Sequence, residues 1–285
     1  MSADPMQDTQ TLAEYTKAVQ AETIQKFLQD QTDGTAVALP DSVHVWDLEN
    51  YLELRRRFRG TMNTTVLDEF VEYVSKTSDS YNINVESYPC FVNPDSMTAC
   101  AFFNLGDVDM PGHGDHSALL SLRKTQAYKE LLDANGGKFG QREFAEWMED
   151  WADMLSARTQ GGQDLPLHTA VAAIRRITLG GKNESTSEEQ SFSSRRSAMA
   201  EVEAQNKDQL PAFLTFTCEP YQGLQQRPFT LRLNIINGDT PRIGARIVRL
   251  ESAEEDMAKE FEQKLRTGFE DTAVDTFVGV FHTLK

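Results

Sequence analysis

The chain is short of positive charge. Its 285 residues carry 28 Lys and Arg against 44 Asp and Glu, a formal net charge of −16. Binding to a phosphate backbone needs clustered cations, so a protein this acidic is not expected to bind nucleic acid directly as a whole. Cysteine is scarce too. Cys90, Cys100 and Cys218 are odd in number and far apart, which excludes a disulfide framework and a cysteine zinc site. Cys100 and Cys218 sit in apolar runs and read as buried structural thiols. No apolar run approaches the roughly 18 residues that span a bilayer. Met1–Pro5 offers no basic region followed by an apolar one, so no signal peptide, no membrane contact and a cytoplasmic location are expected.

The familiar catalytic and phosphate-binding motifs are missing as well. There is no Gly-x-Ser-x-Gly elbow, no Gly-x-Gly-x-x-Gly and no Gly-x-x-x-x-Gly-Lys-Ser/Thr. Gly180-Gly181-Lys182 lacks the upstream glycine that a phosphate loop needs. The inventory leans away from an enzyme and implies no cofactor.

What is present is a globular composition, 39% hydrophobic and 9% aromatic. The patterning predicts an α+β fold. Antiparallel sheets, a meander at about 83–123 and a hairpin at about 212–250, pack with amphipathic helices. Residues 1–10 read as a flexible N-terminus. An N-terminal α+β half follows over 11–160, and a C-terminal half over 161–285 carries a polar arm at 182–209. One compact domain is the alternative. Gly161-Gly162 and Pro166 mark the break between the halves.

Several elements are specific. Leu12, Tyr15, Val19, Ile24, Phe27 and Leu28 form a helical stripe, and Val43–Trp46 is a short strand. Thr65 is placed to cap a helix running to about Lys76. Ile83–Tyr88, Thr98–Leu105 and Ser117–Arg123 read as strands, with Asn93-Pro94-Asp95-Ser96 as a turn. Phe144, Trp147, Met148, Trp151 and Leu155 recur at helical spacing, and Leu167–Leu179 is a second apolar helix. Ala212–Cys218, the alternating run Phe229–Ile235 and Ile243–Leu250 are strands, the last two joined at Asn237-Gly238. Ser252-Ala253-Glu254-Glu255 looks like a capping box for a helix on Met257, Phe261 and Leu265, and Phe277–His282 is a last strand. Arg55, Arg56, Arg57 and Arg59 form the one dense basic cluster, read as a solvated helix face or as ion-pair partners, with an anion or phosphate contact as the alternative.

One stretch gathers potential ligands. Gly112-His113-Gly114-Asp115-His116 holds two of the five histidines, with Asp107 and Asp109 just upstream. His113, Asp115 and His116 could ligate a divalent metal, with Asp107 or Asp109 as a fourth ligand, and so serve a hydrolase or nuclease. The competing reading is a polar hairpin tip whose side chains cap turn amides. His44, His168 and His282 stand alone and read as structural.

Four blocks occur together in order. They are Phe91-Val-Asn-Pro-Asp with Thr98-Ala-Cys-Ala-Phe-Phe-Asn-Leu-Gly-Asp; Pro111-Gly-His-Gly-Asp-His; Phe139-Gly-Gln-Arg-Glu-Phe-Ala-Glu-Trp-Met-Glu-Asp; and Glu219-Pro-Tyr-Gln-Gly-Leu with Phe229-Thr-Leu-Arg-Leu. Their arrangement resembles the YfdQ-like family of phage and prophage proteins, a domain of unknown function. The resemblance implies a phage or prophage origin and life in a bacterial cytoplasm, and it lends no catalytic residue. The expectation is a non-enzymatic accessory protein that forms a homo-oligomer and binds a host or phage macromolecule, a host protein among the partners, in a counter-defence or DNA-metabolism role. A metal-dependent hydrolase at the histidine loop and a shell- or cage-forming protein are the alternatives.

Overall fold

The computed structural model describes residues 49–55, 57–80, 87–177, 209–236 and 240–282, with Lys17, Val19, Gln20 and Glu22. The chain divides into two compact units, Met1–Arg57 and Phe58–Lys285. In the first, the four isolated residues are helical and Glu49–Tyr51 forms a 3-10 turn. Most of the stripe from Leu12 to Leu28, the strand Val43–Trp46, the polar arm and the Asn237-Gly238 turn lie outside the described residues.

The second unit has two sheets and five helices among the described residues, which makes it α+β. The first sheet is built on an antiparallel meander of β2 (Tyr88–Asn93), β3 (Thr98–Phe102) and β4 (His116–Ser121). Both of its edges are parallel additions. Strand β1 (Gly60–Thr64) pairs with β4, and β11 (Val274–Val278) pairs with β2, giving the order β1-β4-β3-β2-β11. Period-two alternation sends Tyr88, Cys90, Val92, Ala99, Ala101, Ala118 and Leu120 into the core. Helix α1 (Leu67–Ser80) covers that face with Leu67, Phe70 and Val74.

The second sheet is antiparallel throughout, in the order β5-β10-β9-β8-β6-β7. Its strands are β5 (Lys138–Gly140), β6 (Leu155–Arg158), β7 (Asp164–Leu165), β8 (Phe213–Cys218), β9 (Arg227–Ile236) and β10 (Arg242–Ile247). Helices α2 (Gln126–Ala134), α3 (Gln141–Asp150) and α4 (Leu167–Arg175) bury apolar stripes in the same core. Helix α5 (Leu250–Gly268) adds Met257, Phe261 and Leu265, and the Phe269 ring just beyond it meets Phe70 at 6.2 Å. Both sheets take strands from either side of residue 160, and Gly162, at φ +79°, makes the turn between β6 and β7.

Several boundaries differ from the sequence expectation, each for a local reason. The Val66 N–H bonds the hydroxyl of Thr64, not Thr65, and the Val66 carbonyl accepts from Phe70, so α1 starts at Leu67 and runs on to Ser80. Helix α3 stops before Trp151, and a turn carries Leu155 into strand β6. Leu155 still reaches the core, but from a strand. Arg249, left-handed at φ +57°, joins β10 directly to α5, so Ser252 falls inside the first turn and forms no capping box. Strands β3 and β10 end at Phe102 and Ile247, short of Leu105 and Leu250. Strand β11 begins at Val274, before Phe277. No helix occurs among the described residues from Leu52 to Arg59, so the arginine cluster is not a helix face there.

Candidate functional site

The histidine stretch lies on the connection between β3 and β4, at the tip of a hairpin. The loop is organised by its own polar groups. The Asp107 carboxylate accepts from the Asp109 and Met110 amides at 2.9 and 2.6 Å, an Asx turn. Gly106 bridges Pro111, and the Gly112 amide bonds the Leu105 carbonyl at 2.7 Å. Asn104 anchors the base. Its amide nitrogen donates to Asp115 at 2.8 Å, and its side-chain oxygen accepts from the His116 amide at 2.9 Å.

This arrangement separates the three residues singled out for a metal. His113 is exposed at the tip, Asp115 is half-buried and held by Asn104, and His116 turns into the protein. Only 2% of His116 is exposed. Its ring sits 4.5 Å from Phe58 and 4.6 Å from Phe103, and its Nε2 lies 3.5 Å from the Tyr73 hydroxyl. Among the described residues no group of three or more His, Cys, Asp or Glu is placed to hold a metal ion. The cysteines are buried or half-buried free thiols. Desolvation raises Cys90 to about 12 and Cys100 and Cys218 to about 11, so none is a ready nucleophile at neutral pH.

Burial also lowers the pKa of His116, and the nearby Asp115 carboxylate opposes that only in part. The folded protein therefore takes up a proton on this ring less readily than the unfolded chain. The stability this contributes is complete above the ordinary histidine range and is lost as pH falls through it. The melting temperature of wild type relative to His116→Leu should therefore shrink between pH 7.5 and pH 5 (roughly one unit either side of the histidine range). Parallel melting curves across that range would remove His116 from the acid response.

A second feature escaped the sequence reading. The outward face of the first sheet carries an aromatic cluster. Phe281 stacks on Phe91 with centroids 4.9 Å apart and 15° between planes. Phe277 lies 5.8 Å from Phe91, and Phe102 lies 6.1 Å from Phe91 and 5.7 Å from Phe281. Phe277 is 49% exposed and Phe281 40%, and Leu119 opens onto the same face. The strand residues facing this way are otherwise Thr61, Asn63, Pro89, Asn93, Thr98, Cys100, Ser117 and Ser121, with Asp275 the one charge. A signal was available in the sequence. Tyr88–Asn93 and Thr98–Phe102 are apolar at both parities, whereas an antiparallel strand with one face in water alternates.

Among the described residues no helix is long and apolar enough to cross a membrane. No curated protein and no solved structure matches this chain. A family model described as "Uncharacterized conserved protein (DUF2303)" matches residues 8–281, nearly the whole length, and the chain belongs to that family.

Proposed function

We propose that this is a non-enzymatic accessory protein of phage or prophage origin, cytoplasmic, which acts as a self-associating binding scaffold. The order of the four sequence blocks supports the phage setting. The observation that carries the scaffold reading is the open aromatic face of the first sheet. Phe277 and Phe281 are about half in water although their ring partners already hold them in place. Exposed contiguous apolar surface of this kind marks an interaction site.

Charge selects the occupant. Copies of a −16 chain repel one another, and they approach at least cost where each presents no charge. The strand residues of this face carry one carboxylate, Asp275, and Ser87 already hydrogen-bonds it. A second copy laid face to face through Phe91, Phe102, Phe277 and Phe281 buries the rings and keeps the acidic surfaces apart. The patch lies at the β11 edge of the sheet, across β3, β2 and β11.

Native mass spectrometry and light scattering test this directly. Wild type should be a dimer or larger at micromolar concentration. Phe281→Glu should weaken association by about 30-fold, the effect of losing one buried aromatic anchor, with its fold retained. A wild-type monomer at those concentrations, or an oligomer indifferent to Phe281→Glu, overturns the reading.

A further inference from the structure

A cleft of about 590 Å³ opens between the β2–β3 turn, the loop joining β8 to β9 and the N-terminal half of α5. That volume falls in the range of small-ligand pockets, roughly 300–1,000 Å³. The floor is apolar. Met97 and Met257 are 4% and 1% exposed, and the half-buried ring of Tyr221 lies beside them. The rim is acidic. Asp95 comes from the turn, and Glu251, Glu254 and Glu255 come from the start of α5. None of these four carboxylates pairs with a cation among the described residues. The lining holds one cation, Lys259, and a fifth carboxylate, Glu262, which Arg266 already pairs at 2.8 Å.

A solvated helix face accounts for the carboxylates by themselves. It does not account for Tyr128. That residue is 1% exposed, and its hydroxyl makes no hydrogen bond among the described residues. A hydroxyl so enclosed and left without a partner costs free energy, and such a group in a native fold calls for one. Its surroundings show where the partner belongs. The Tyr128 ring stands 5.9 Å from that of Tyr221, and Glu254 is the carboxylate whose charge acts on the hydroxyl. Tyr221 and Glu254 both line the cleft, so the hydroxyl sits at its inner end, just behind them. The Lys124 ammonium already lies over the Tyr128 ring, 5.9 Å from its centroid, which leaves the hydroxyl as the group open to a ligand. Desolvation first, and then the Glu254 charge, raises the pKa of both tyrosines, so both keep their protons at neutral pH. Neutral phenol oxygens beside a carboxylate accept from a cationic donor. A primary ammonium has three hydrogens to give, and the Tyr221 ring adds a cation–π contact. The methylenes of such a cation lie well on a thioether floor.

We propose that this cleft binds an aliphatic polyamine. One terminal ammonium sits between Glu254 and the hydroxyls of Tyr128 and Tyr221, the methylene chain lies on Met97 and Met257, and a further ammonium meets Asp95 and Glu255. The alternation of charge and methylene along the ligand matches the acidic rim over the apolar floor. A metal ion does not fit these residues, since among the described residues no group of three or more His, Cys, Asp or Glu is placed to hold one. The cleft shares no residue with the aromatic face of the first sheet, so this proposal and the self-association reading stand or fall separately.

Isothermal titration calorimetry of the full chain with spermidine tests it at low salt. Wild type should bind spermidine, and the affinity should fall as salt rises. Glu254→Gln with Glu255→Gln should weaken binding about tenfold, the effect of losing two ion pairs. Tyr128→Phe should weaken it about threefold and melt no lower than wild type, because the hydroxyl it removes bonds nothing in the fold. The control, Asp150→Asn with Asp153→Asn, removes the same charge from exposed positions outside the cleft and should stay within about twofold of wild type. Magnesium chloride should displace spermidine no better than sodium chloride of equal ionic strength. The proposal is overturned by absence of wild-type binding, by an equal loss in the control, by preferential displacement with magnesium, or by unchanged affinity in Tyr128→Phe. A trilysine peptide that binds more tightly than spermidine overturns it as well, because a basic protein segment is then the occupant.

Discussion

Replacing Phe216 by alanine should lower stability by about 4 kcal/mol, which corresponds to a fall in Tm of roughly 8–16 °C for a domain of this size. Phe216 is fully buried on the inward face of β8. It stands opposite Leu155 on one neighbouring strand and Phe229 on the other. Above it the Trp147 ring lies 5.9 Å away at 25° and the Trp151 ring 5.7 Å away at 55°. Trp147 in turn stacks on Phe144 at 5.6 Å. Phe216 is thus a principal contact between the sheet and helix α3, beside the Phe139–Phe144 contact at 5.5 Å. Alanine would leave a void bounded on one side by two rigid indoles, which cannot collapse into it. Both the transfer loss and the cavity cost therefore apply in full. Phe216→Leu should cost less than half as much, because most of the volume remains. Thr215→Ala, one residue away on the outward face, should change stability by less than about 0.5 kcal/mol. Thermal denaturation followed by tryptophan fluorescence reports both the shift and the loosening around Trp147 and Trp151. A Phe216→Ala variant melting within about 3 °C of wild type would mean that α3 is held elsewhere.

The same residues show what the sequence made legible. Phe144, Trp147 and Met148 belong to a 3.6-residue period, and Phe216 to a two-residue period, so each revealed its own element and its own buried side. Periodicity records only which side of an element is apolar. It carries the meander at 88–121 and the hairpin strands β9 and β10, whose partners are neighbours in the chain. It cannot show that β1 pairs with β4 or β11 with β2. Those parallel contacts pair residues 56 and 186 positions apart, and no local pattern encodes them. Leu155 illustrates the limit within a few residues. It continues the helical spacing of Phe144 to Trp151 and yet lies on a strand, because a turn preserved the direction of burial while ending the helix. The aromatic face and the arginine row across the second sheet were hidden for a related reason. That row is visible only across strands, where Arg158, Arg232 and Arg246 come together from three separate segments. In sequence they are isolated cations among many acids. Phe281 likewise joins Phe91 only because β11 adds to the sheet beside β2.

In the histidine loop the expected effects should fall on the glycines rather than on the histidine at the tip. Gly112→Ala should destabilise by about 3 kcal/mol, whereas His113→Ala should stay within about 0.5 kcal/mol. A Cβ on Gly112 would stand 2.1 Å from the Asn104 carbonyl oxygen, a backbone atom that cannot move without disturbing the base of the loop. Asn104 is also the residue that holds Asp115 and the His116 amide, so pushing its backbone away undoes both of those bonds. Gly106 is constrained in a second way. Its φ is +71°, and a Cβ there would lie 2.1 Å from the Met110 carbonyl oxygen, so Gly106→Ala meets both a clash and an unfavourable backbone region. His113, exposed and beyond this framework, has little to lose. Urea denaturation of the three variants separates the two readings of the stretch. Large losses at Gly112 and Gly106 with none at His113 identify it as a folding device whose glycines let the chain double back tightly enough for Asn104 to fasten it. A stable Gly112→Ala protein would show that the loop tolerates rearrangement and that its compact form is not what this sequence block specifies.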